Sequence, residues 1–166
     1  MLVIGIDPGT ATTGYGLVKE NQDGNLKAIE YGVIVTAADL PMPQRLRELY
    51  HQLSEIILLH RPESGAVEKL FFQRNVRTAI SVGQGRGIAL LALAEADLPV
   101  AEYTPLEIKQ AVVGYGGADK MQVQQMVRAL LNLDDIPRPD DAADALAVAI
   151  CHLHSARTQA LILDSN

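Results

Sequence analysis

The chain opens with two apolar runs, Val3 to Ile6 and Leu17 to Val18, separated by a stretch rich in glycine, threonine and proline. Apolar runs on either side of such turn-forming residues are typical of a hairpin between two buried strands. A single acid, Asp7, directly follows the first run. We therefore expect its carboxylate at the edge of the core, where a strand fixes it and solvent reaches it. The alternative is a turn residue that accepts hydrogen bonds from nearby backbone N–H groups.

The rest of the chain alternates between strand and helix patterns. Turn signals, capping residues and the spacing of apolar positions delimit these elements. The predicted strands are Leu26–Thr36, Gly65–Glu68 and Leu98–Thr104, and the predicted helices are Pro43–His60, Gln73–Ala96, Pro105–Val113, one capped by Asp119 with Gln122, and Asp140–Arg157. Three antiparallel strands followed by alternating helices and strands predict an α/β fold, a five-stranded mixed sheet with helices on both faces.

The length and composition of the chain fit one domain. With 166 residues, of which 48% are hydrophobic, it can bury a full core. We place this domain at residues 1–157 and expect residues 158–166 to fray. The sequence contains no apolar run long enough to span a membrane, no basic start of a signal peptide and only one cysteine, Cys151. These features predict a soluble protein of a reducing compartment, the cytoplasm.

Charge is unevenly distributed along the chain. The formal net charge of -6 argues against a protein that coats nucleic acid, because phosphate contacts need clustered lysine and arginine. Residues 69–94, however, contain no acid and four basic residues: Lys69, Arg74, Arg77 and Arg86. This basic segment is a candidate for the surface that DNA approaches. The alternative is a basic helix face that is exposed to solvent.

Four acids are expected to converge in the predicted fold. Asp7 and Glu68 end neighbouring parallel strands at one edge of the sheet, and Asp141 and Asp144 lie three apart on one face of the last helix. Carboxylates that hold paired Mg²⁺ ions can shield a phosphodiester, activate a water and stabilise the leaving alkoxide. The pattern therefore indicates metal-dependent phosphodiester hydrolysis. Asp140 is equally well placed by spacing, and we assign it to the first turn of the helix, where it satisfies free N–H groups.

Three glycines fall within five positions of the predicted long helix: Gly83, Gly85 and Gly87. Each costs roughly 1 kcal/mol relative to alanine in a helix interior, so a close approach of another surface is expected. The run follows no strand and lacks the spacing of a dinucleotide-binding loop. Another helix and DNA are the two candidates, and we favour a self-associating helix face.

Four segments of the chain together resemble the RuvC family of bacterial Holliday junction resolvases. They are VIGIDPGTATTGYGLV from Val3, VEKLF from Val67, GQGRG from Gly83 and DAADALA from Asp141. The match spans nearly the whole chain in order. It implies a ribonuclease H-like fold, a homodimer, Mg²⁺- or Mn²⁺-dependent cleavage of paired strands in a four-way junction during recombination and repair, and work alongside the RuvA and RuvB branch-migration proteins.

The resemblance also implies roles for single residues. Asp7, Glu68, Asp141 and Asp144 are similar to the catalytic acids of the family, in which some relatives have histidine at the position of Asp141. The likeness places Lys109 and Lys120 near the scissile phosphate, and an N-terminal helix turn at Lys120 is favourable for phosphate. It also implies that Phe71 stacks on or wedges bases at the junction centre, and Arg74 and Arg77 are candidates for phosphate contacts.

Other functions share parts of this pattern. An ATP-handling domain of the actin and sugar-kinase type also has an Asp-Gly-Thr loop, but it needs a second such loop and a longer chain. An inactive junction-binding module would lack some of the acids. A generic ribonuclease H or integrase-like nuclease shares the metal chemistry, and only the Phe71 region and the glycine-rich helix argue against it. A zinc site at Cys151, His152 and His154 is disfavoured because adjacent helical positions diverge.

Overall fold

The computed structural model describes residues 1–69 and 76–164, without the side chains of residues 76–78 and 159–164. Three strands open the fold. Two helices then alternate with two further strands, and three helices follow the last strand. The elements are β1 Leu2–Asp7, β2 Thr12–Glu20, β3 Leu26–Val35, α1 Met42–His60, β4 Ser64–Glu68, α2 Val76–Glu95, β5 Val100–Tyr103, α3 Pro105–Val113, α4 Lys120–Leu130 and α5 Asp140–Asp164.

The strands form one mixed sheet in the order β3-β2-β1-β4-β5. Strands β1, β2 and β3 pair antiparallel, whereas β4 is parallel to both β1 and β5. Strand β1 takes the centre because its residues Val3 to Ile6 are apolar or glycine and are buried on both faces of the sheet. The predicted five-stranded mixed sheet is confirmed.

Helices cover both faces of this sheet, as predicted. One face, which includes Ile4 and Leu17, packs against α1 and α2. The other face, which includes Val3 and Val18, packs against α3, α4 and α5. Neighbouring residues of β1 and of β2 thus serve opposite cores, because successive side chains of a strand point to opposite faces.

Helix α5 is the central helix of the second layer. All of its residues from 142 to 151 except Asp144 are buried, and five of them are alanines. It contacts β1, β2 and β3 on one side and α3 and α4 on the other. A helix that is apolar around its whole circumference is typical of this buried position.

The largest differences from the predicted element boundaries are in β2 and α5. Strand β2 begins at Thr12, so Gly14 and Gly16 belong to a strand and not to the predicted turn. Helix α5 continues to Asp164, seven residues beyond the predicted end at Arg157. The sequence from 158 to 164 contains no glycine or proline that would stop it.

The buried face of α1 is narrower than the spacing of apolar residues in its sequence predicts. The apolar spacing of the sequence predicts a buried face that includes Leu59. The helix buries Leu49, Leu53 and Ile57, whereas Leu59 is 74% exposed. Positions four apart lie on one side of a helix, and the two residues after Ile57 rotate away from that side. Within residues 1–69 and 76–164, no helix is both long and apolar enough to cross a membrane.

Candidate active site at the ends of strands β1 and β4

Asp7 and Glu68 end adjacent strands and point to the same face of the sheet. Val3 and Ala66 both lie in the core beneath α5, and side chains alternate along a strand, so Asp7 and Glu68 share that face with them. Strands β1 and β4 are parallel and remain in register up to the residues before the two acids. The two carboxyl groups are close enough for each to influence the pKa of the other. The structure therefore brings them together at one edge of the sheet.

Helix α5 brings Asp141 and Asp144 to the same edge because it packs directly on glycines of the sheet. Gly14 lies opposite Asp7 on β2, and a Cβ atom added to Gly14 would lie 2.0 Å from the carbonyl oxygen of Asp141. A Cβ atom added to Gly5 would lie 2.2 Å from another carbonyl oxygen of α5. Since such distances exclude any side chain, the two glycines set how closely the acid-bearing helix approaches β1 and β2.

The loop that follows β1 is fixed by contacts with β2 and α2. The Thr13 hydroxyl donates a hydrogen bond to the Gly9 carbonyl oxygen at 2.5 Å. A Cβ atom at Gly85 would lie 2.6 Å from the same oxygen, whereas Cβ atoms at Gly83 and Gly87 would meet nothing within 4 Å. The close approach at Gly85 is therefore to the loop after β1 in the same chain, and not to another helix or to DNA as predicted. The self-associating face stays a prediction for the two outer glycines.

Burial and mutual repulsion raise the pKa values of Asp7, Glu68 and Asp144. Removal from water is the main cause of the upward shift in the pKa of Asp7, and the charges of Glu68, Asp144 and Asp141 add to it. Burial also raises the pKa of Glu68 and that of Asp144, where Lys120 opposes the shift. Carboxylates in this state form a centre of poorly compensated negative charge, typical of functional sites.

Lys120 supplies positive charge next to the acids. Its Nζ atom donates a hydrogen bond to Asp144 Oδ2 at 3.0 Å and lies 3.4 Å from Asp140 Oδ2. It is the first residue of α4, where Asp119 and Gln122 form the predicted capping box, so the backbone that carries it is fixed. Burial lowers the pKa of Lys120, but the hydrogen bonds and charges of Asp144 and Asp140 outweigh burial, and the net shift is upward.

Asp140 stands at the margin of this cluster. It forms ion pairs with Lys120 and Arg138, and the nearby side-chain amide of Gln124 is the main cause that lowers its pKa, followed by Lys120. The acids whose charges act on Asp7 include Asp141 and Asp144. This placement favours Asp141 over Asp140 as a metal ligand, and the capping role of Asp140 stays a prediction.

A cavity of about 190 Å³, which we call the side cavity, opens beside the acids between α3, α4 and α5. Glu68 and Asp144 form part of its wall, and so do Lys109 and Lys120, the two lysines predicted to contact the scissile phosphate. The remaining wall is apolar and consists of Pro105, Ile108, Val123 and Ala147. Lys109 thus reaches the same site as Lys120 although it comes from a different helix.

The chemistry of the cluster fits a hard divalent cation. Carboxylate oxygens are the ligands that Mg²⁺ prefers, and a bound cation would compensate the charges that raise the pKa of Asp7. Within residues 1–69 and 76–164, no three Asp, Glu, His or Cys side chains are arranged to hold an ion as they stand.

Some predicted DNA contacts cannot be placed in the site. Phe71 and Arg74 lie outside the described residues. Arg77 lies in the first turn of α2, and its side chain is also outside the description. These three roles stay predictions.

The histidines considered for zinc have other partners. His152 is hydrogen-bonded to Ser64 Oγ at 3.0 Å and to the Tyr103 hydroxyl at 2.9 Å. His154 donates from Nδ1 to the carbonyl oxygen of Ala111 at 3.0 Å. Burial raises the pKa of Cys151 to about 11, so its thiol is protonated at neutral pH. The three residues serve the packing of α5.

Two features of the site were missed by the sequence analysis. Gly5 and Gly14 position α5, and glycines inside apolar strand patterns were the available signal, because they often mark a close backbone approach. The side cavity had no signal in the sequence, since Ile108 and Val123 follow the same helical periodicity as ordinary core residues.

Comparisons with known proteins agree with this site. A family model described as "Crossover junction endodeoxyribonuclease RuvC" matches residues 3–152. A relative of the same description from Syntrophomonas wolfei is 57% identical over 165 residues, which cover 99% of this chain and 95% of the relative.

Two solved structures are also similar to the chain. "Thermus thermophilus RuvC structure" has a TM-score of 0.90 and 38% identity and covers 96% of this chain and 97% of its own. "T. thermophilus RuvC in complex with Holliday junction substrate" has a TM-score of 0.87 and 36% identity. The match covers 95% of this chain and 96% of that chain. These likenesses confirm the predicted ribonuclease H-like fold.

Proposed function

Because the chain belongs to the RuvC family of crossover junction endodeoxyribonucleases, we propose that it resolves Holliday junctions by nicking two symmetry-related strands. The chain is a metal-dependent nuclease. The proposed substrate, a Holliday junction, is also the substrate in the solved complex of the similar Thermus thermophilus protein. The reaction is hydrolysis of one phosphodiester in each of the two strands, and it serves recombination and DNA repair.

The observation that carries this proposal is the convergence of four carboxylates from β1, β4 and α5 at one edge of the sheet. Asp7 is the centre of the cluster, because its pKa responds to the charges of Glu68, Asp144 and Asp141. We assign these four side chains as the residues that would hold the metal ions, with Asp7 as the central one. Divalent ions bound there would shield the phosphate, lower the pKa of the attacking water and stabilise the leaving alkoxide.

The two lysines of the site hold the substrate. Lys120 is a cation beside Asp144, and Lys109 lines the same cavity. We assign Lys120 to the scissile phosphate, where its charge opposes the negative charge that develops during hydrolysis. Lys109 binds an adjacent phosphate. Phe71, Arg74 and Arg77 are further DNA contacts on this proposal, with Phe71 at the bases of the junction centre.

The proposal extends to ions, partners and location. We propose two Mg²⁺ ions per site, with Mn²⁺ as a substitute, because both are oxygen-seeking divalent cations. A homodimer supplies two sites for two nicks, and the open space at Gly83 and Gly87 on α2 leaves room for a partner helix. Cooperation with RuvA and RuvB and a cytoplasmic location complete the proposal.

Purified protein tests this function directly. It is incubated with a synthetic four-way junction, a linear duplex of the same sequence and an RNA–DNA hybrid, in Mg²⁺, in Mn²⁺ and in chelator. We expect paired nicks confined to the junction and abolished by chelator.

Other outcomes would redirect the function. Cleavage of the duplex or the hybrid in preference to the junction would make the protein a generic nuclease. Junction binding without cleavage in either metal would make it a binding module. Both outcomes refute junction resolution.

A further inference from the structure

One acid beside Lys120 has no task in the hydrolysis described above. The Lys120 Nζ atom lies 3.0 Å from Asp144 Oδ2 and 3.4 Å from Asp140 Oδ2, so two carboxylates share its charge. On the proposed function Asp144 helps to hold a metal ion, and a carboxylate whose charge is used in this way pairs more weakly with a lysine. Asp140 is then the carboxylate that still holds Lys120 while the lysine contacts the phosphate.

Asp140 is held so that one of its oxygens faces Lys120. It lies in the first turn of α5, and its Oδ1 atom accepts a hydrogen bond from Arg138 Nη1. Its other oxygen, Oδ2, lies next to Lys120 Nζ. A carboxylate with a cation at each oxygen cannot rotate without losing one of these charge-assisted contacts. The second oxygen therefore stays directed at the lysine.

Gln124 supports Asp140 from the protein side. It lies one turn after Lys120 on α4, and residues four apart share a helix face. Its side chain is 2% exposed, and its Nε2 atom is buried without a hydrogen-bond partner in the part of the chain that the structure describes. The Gln124 amide is also the main cause of the lowered pKa of Asp140. A buried donor beside an acid stabilises the charged form of that acid, so Gln124 favours an ionised Asp140 that faces α4.

We infer that Asp140, with Gln124 behind it, is a positioning residue that holds the Lys120 ammonium toward the scissile phosphate. The inference rests on the proposed function. Lysine carries its charge on a flexible stem, and the Lys120 side chain is 54% exposed, so packing alone does not fix it. Asp140 touches neither the phosphate nor the metal ions, and its effect on cleavage passes through Lys120.

Asp140→Asn tests this role in a double-mutant cycle with Lys120→Met. Asparagine has the shape of aspartate and caps a helix equally well, so the variant loses the negative charge and little else. Because ion pairs between exposed groups are weak, the single-turnover cleavage rate at saturating protein should fall by about threefold to fivefold, while junction affinity is unchanged or higher. In the Lys120→Met protein the same substitution should change the rate by less than about 1.5-fold, since the group that Asp140 holds is missing.

Two further variants complete the design. Asp135→Asn removes the same charge from an exposed residue in the loop before α5, so it controls for net charge and should cleave at the wild-type rate. Gln124→Met keeps a side chain of similar length without the amide. It should lower the rate by about twofold in the presence of Lys120 and leave the rate of the Lys120→Met protein unchanged. If Gln124→Met does not fold, the cycle of Asp140 with Lys120 decides.

The contact between Asp140 and Lys120 is also measured without DNA or metal. The wild type, Asp140→Asn, Lys120→Met and the double variant are unfolded in urea in the presence of chelator. The effects of the two substitutions on the unfolding equilibrium constant should be non-additive by about twofold to fivefold. Additive effects would show that the two side chains do not interact and would overturn the inference.

The results separate this inference from the proposed function. A loss of rate from Asp140→Asn that persists equally in the Lys120→Met protein would overturn the positioning role, and so would a wild-type rate in Asp140→Asn. Both outcomes leave junction resolution intact. A loss greater than that of Asp141→Asn would overturn the role as well, because Asp140 would then hold a metal ion. Failure of the wild type to cut junctions would refute the proposed function, and the inference with it.

Discussion

Gly14→Ala is the sharpest test of how this fold builds its site. The added Cβ atom would lie 2.0 Å from the carbonyl oxygen of Asp141 and 3.2 Å from the Cβ atom of Asp141. Ordinary contact begins at 3.4 Å, so the two backbones must separate by about 1.4 Å. The obstructing oxygen belongs to a helix backbone and cannot rotate away. The substitution therefore moves the start of α5 away from β2, and with it the acids that face Asp7.

The expected effects follow from this displacement. Overpacking typically costs about 1–3 kcal/mol, and a value near the upper end corresponds to a fall in Tm of roughly 6–12 °C for a chain of this size. A displacement of about 1 Å in a catalytic group can cost about 100-fold in rate. We therefore expect junction cleavage by Gly14→Ala to fall by about 100-fold or more at a temperature where the variant is fully folded, while junction binding persists.

The assay compares Gly14→Ala with Gly87→Ala. A Cβ atom at Gly87 meets nothing of this chain within 4 Å, and alanine is preferred to glycine in a helix by up to about 1 kcal/mol, so the Tm of this control should be unchanged or higher. Its cleavage should be normal under conditions in which gel filtration shows that it associates like the wild type. Single-turnover cleavage of a labelled junction and thermal unfolding are measured for both. A Gly14→Ala protein with wild-type Tm and a cleavage rate within threefold of wild type would refute the conclusion that this glycine sets the position of α5.

Four further predictions concern the charged residues. Asp7→Asn should reduce cleavage by more than about 10³-fold and leave junction binding intact in a gel-shift assay, and loss of binding would indicate a structural role for Asp7. In chelator, Asp7→Asn should also unfold at a higher temperature than the wild type near pH 8. The raised pKa of Asp7 means that its contribution to stability is present at low pH and is lost as the pH rises through the folded-state value, so the difference in Tm should shrink toward pH 5, and a constant difference would contradict this. Asp141→Asn should reduce cleavage by about 100-fold and Asp140→Asn by less than tenfold, whereas the opposite order would make Asp140 the ligand. Lys120→Met should lower the single-turnover rate by about 100-fold, and a larger effect of Lys109→Met would reverse the roles that we assign to the two lysines.

The acids of the site could be predicted because their positions depend on rules that are visible in a sequence. An acid that ends an apolar strand lies at the edge of the sheet, and parallel neighbours end at the same edge, which placed Asp7 beside Glu68. Two acids three residues apart share a helix face, which paired Asp141 with Asp144. The capping box at Asp119 and Gln122 is likewise a local pattern, and the structure contains it.

The contacts that bring these parts together could not be predicted in the same way. A glycine in the sequence does not reveal which backbone approaches it, so Gly14 was assigned to a turn and Gly85 to an intermolecular face. The ion pair of Lys120 with Asp140 joins residues from different helices, and nothing in their spacing indicates it. The exposed Leu59 shows that an apolar pattern overestimates a buried face where a helix contacts the sheet by a narrow stripe.

The close contacts of α5 with Gly5 and Gly14 of the sheet have a consequence for activity at high temperature. Gly5 meets Ala145 and Ala149, and Gly14 meets the backbone of Asp141, so neither contact depends on a side-chain rotamer that heating could loosen. The backbone of Asp141 and Asp144 is positioned relative to Asp7 by main-chain contact. As temperature rises, the spacing of these acids should persist until the helix leaves the sheet, and cleavage should fail in the same transition as the fold.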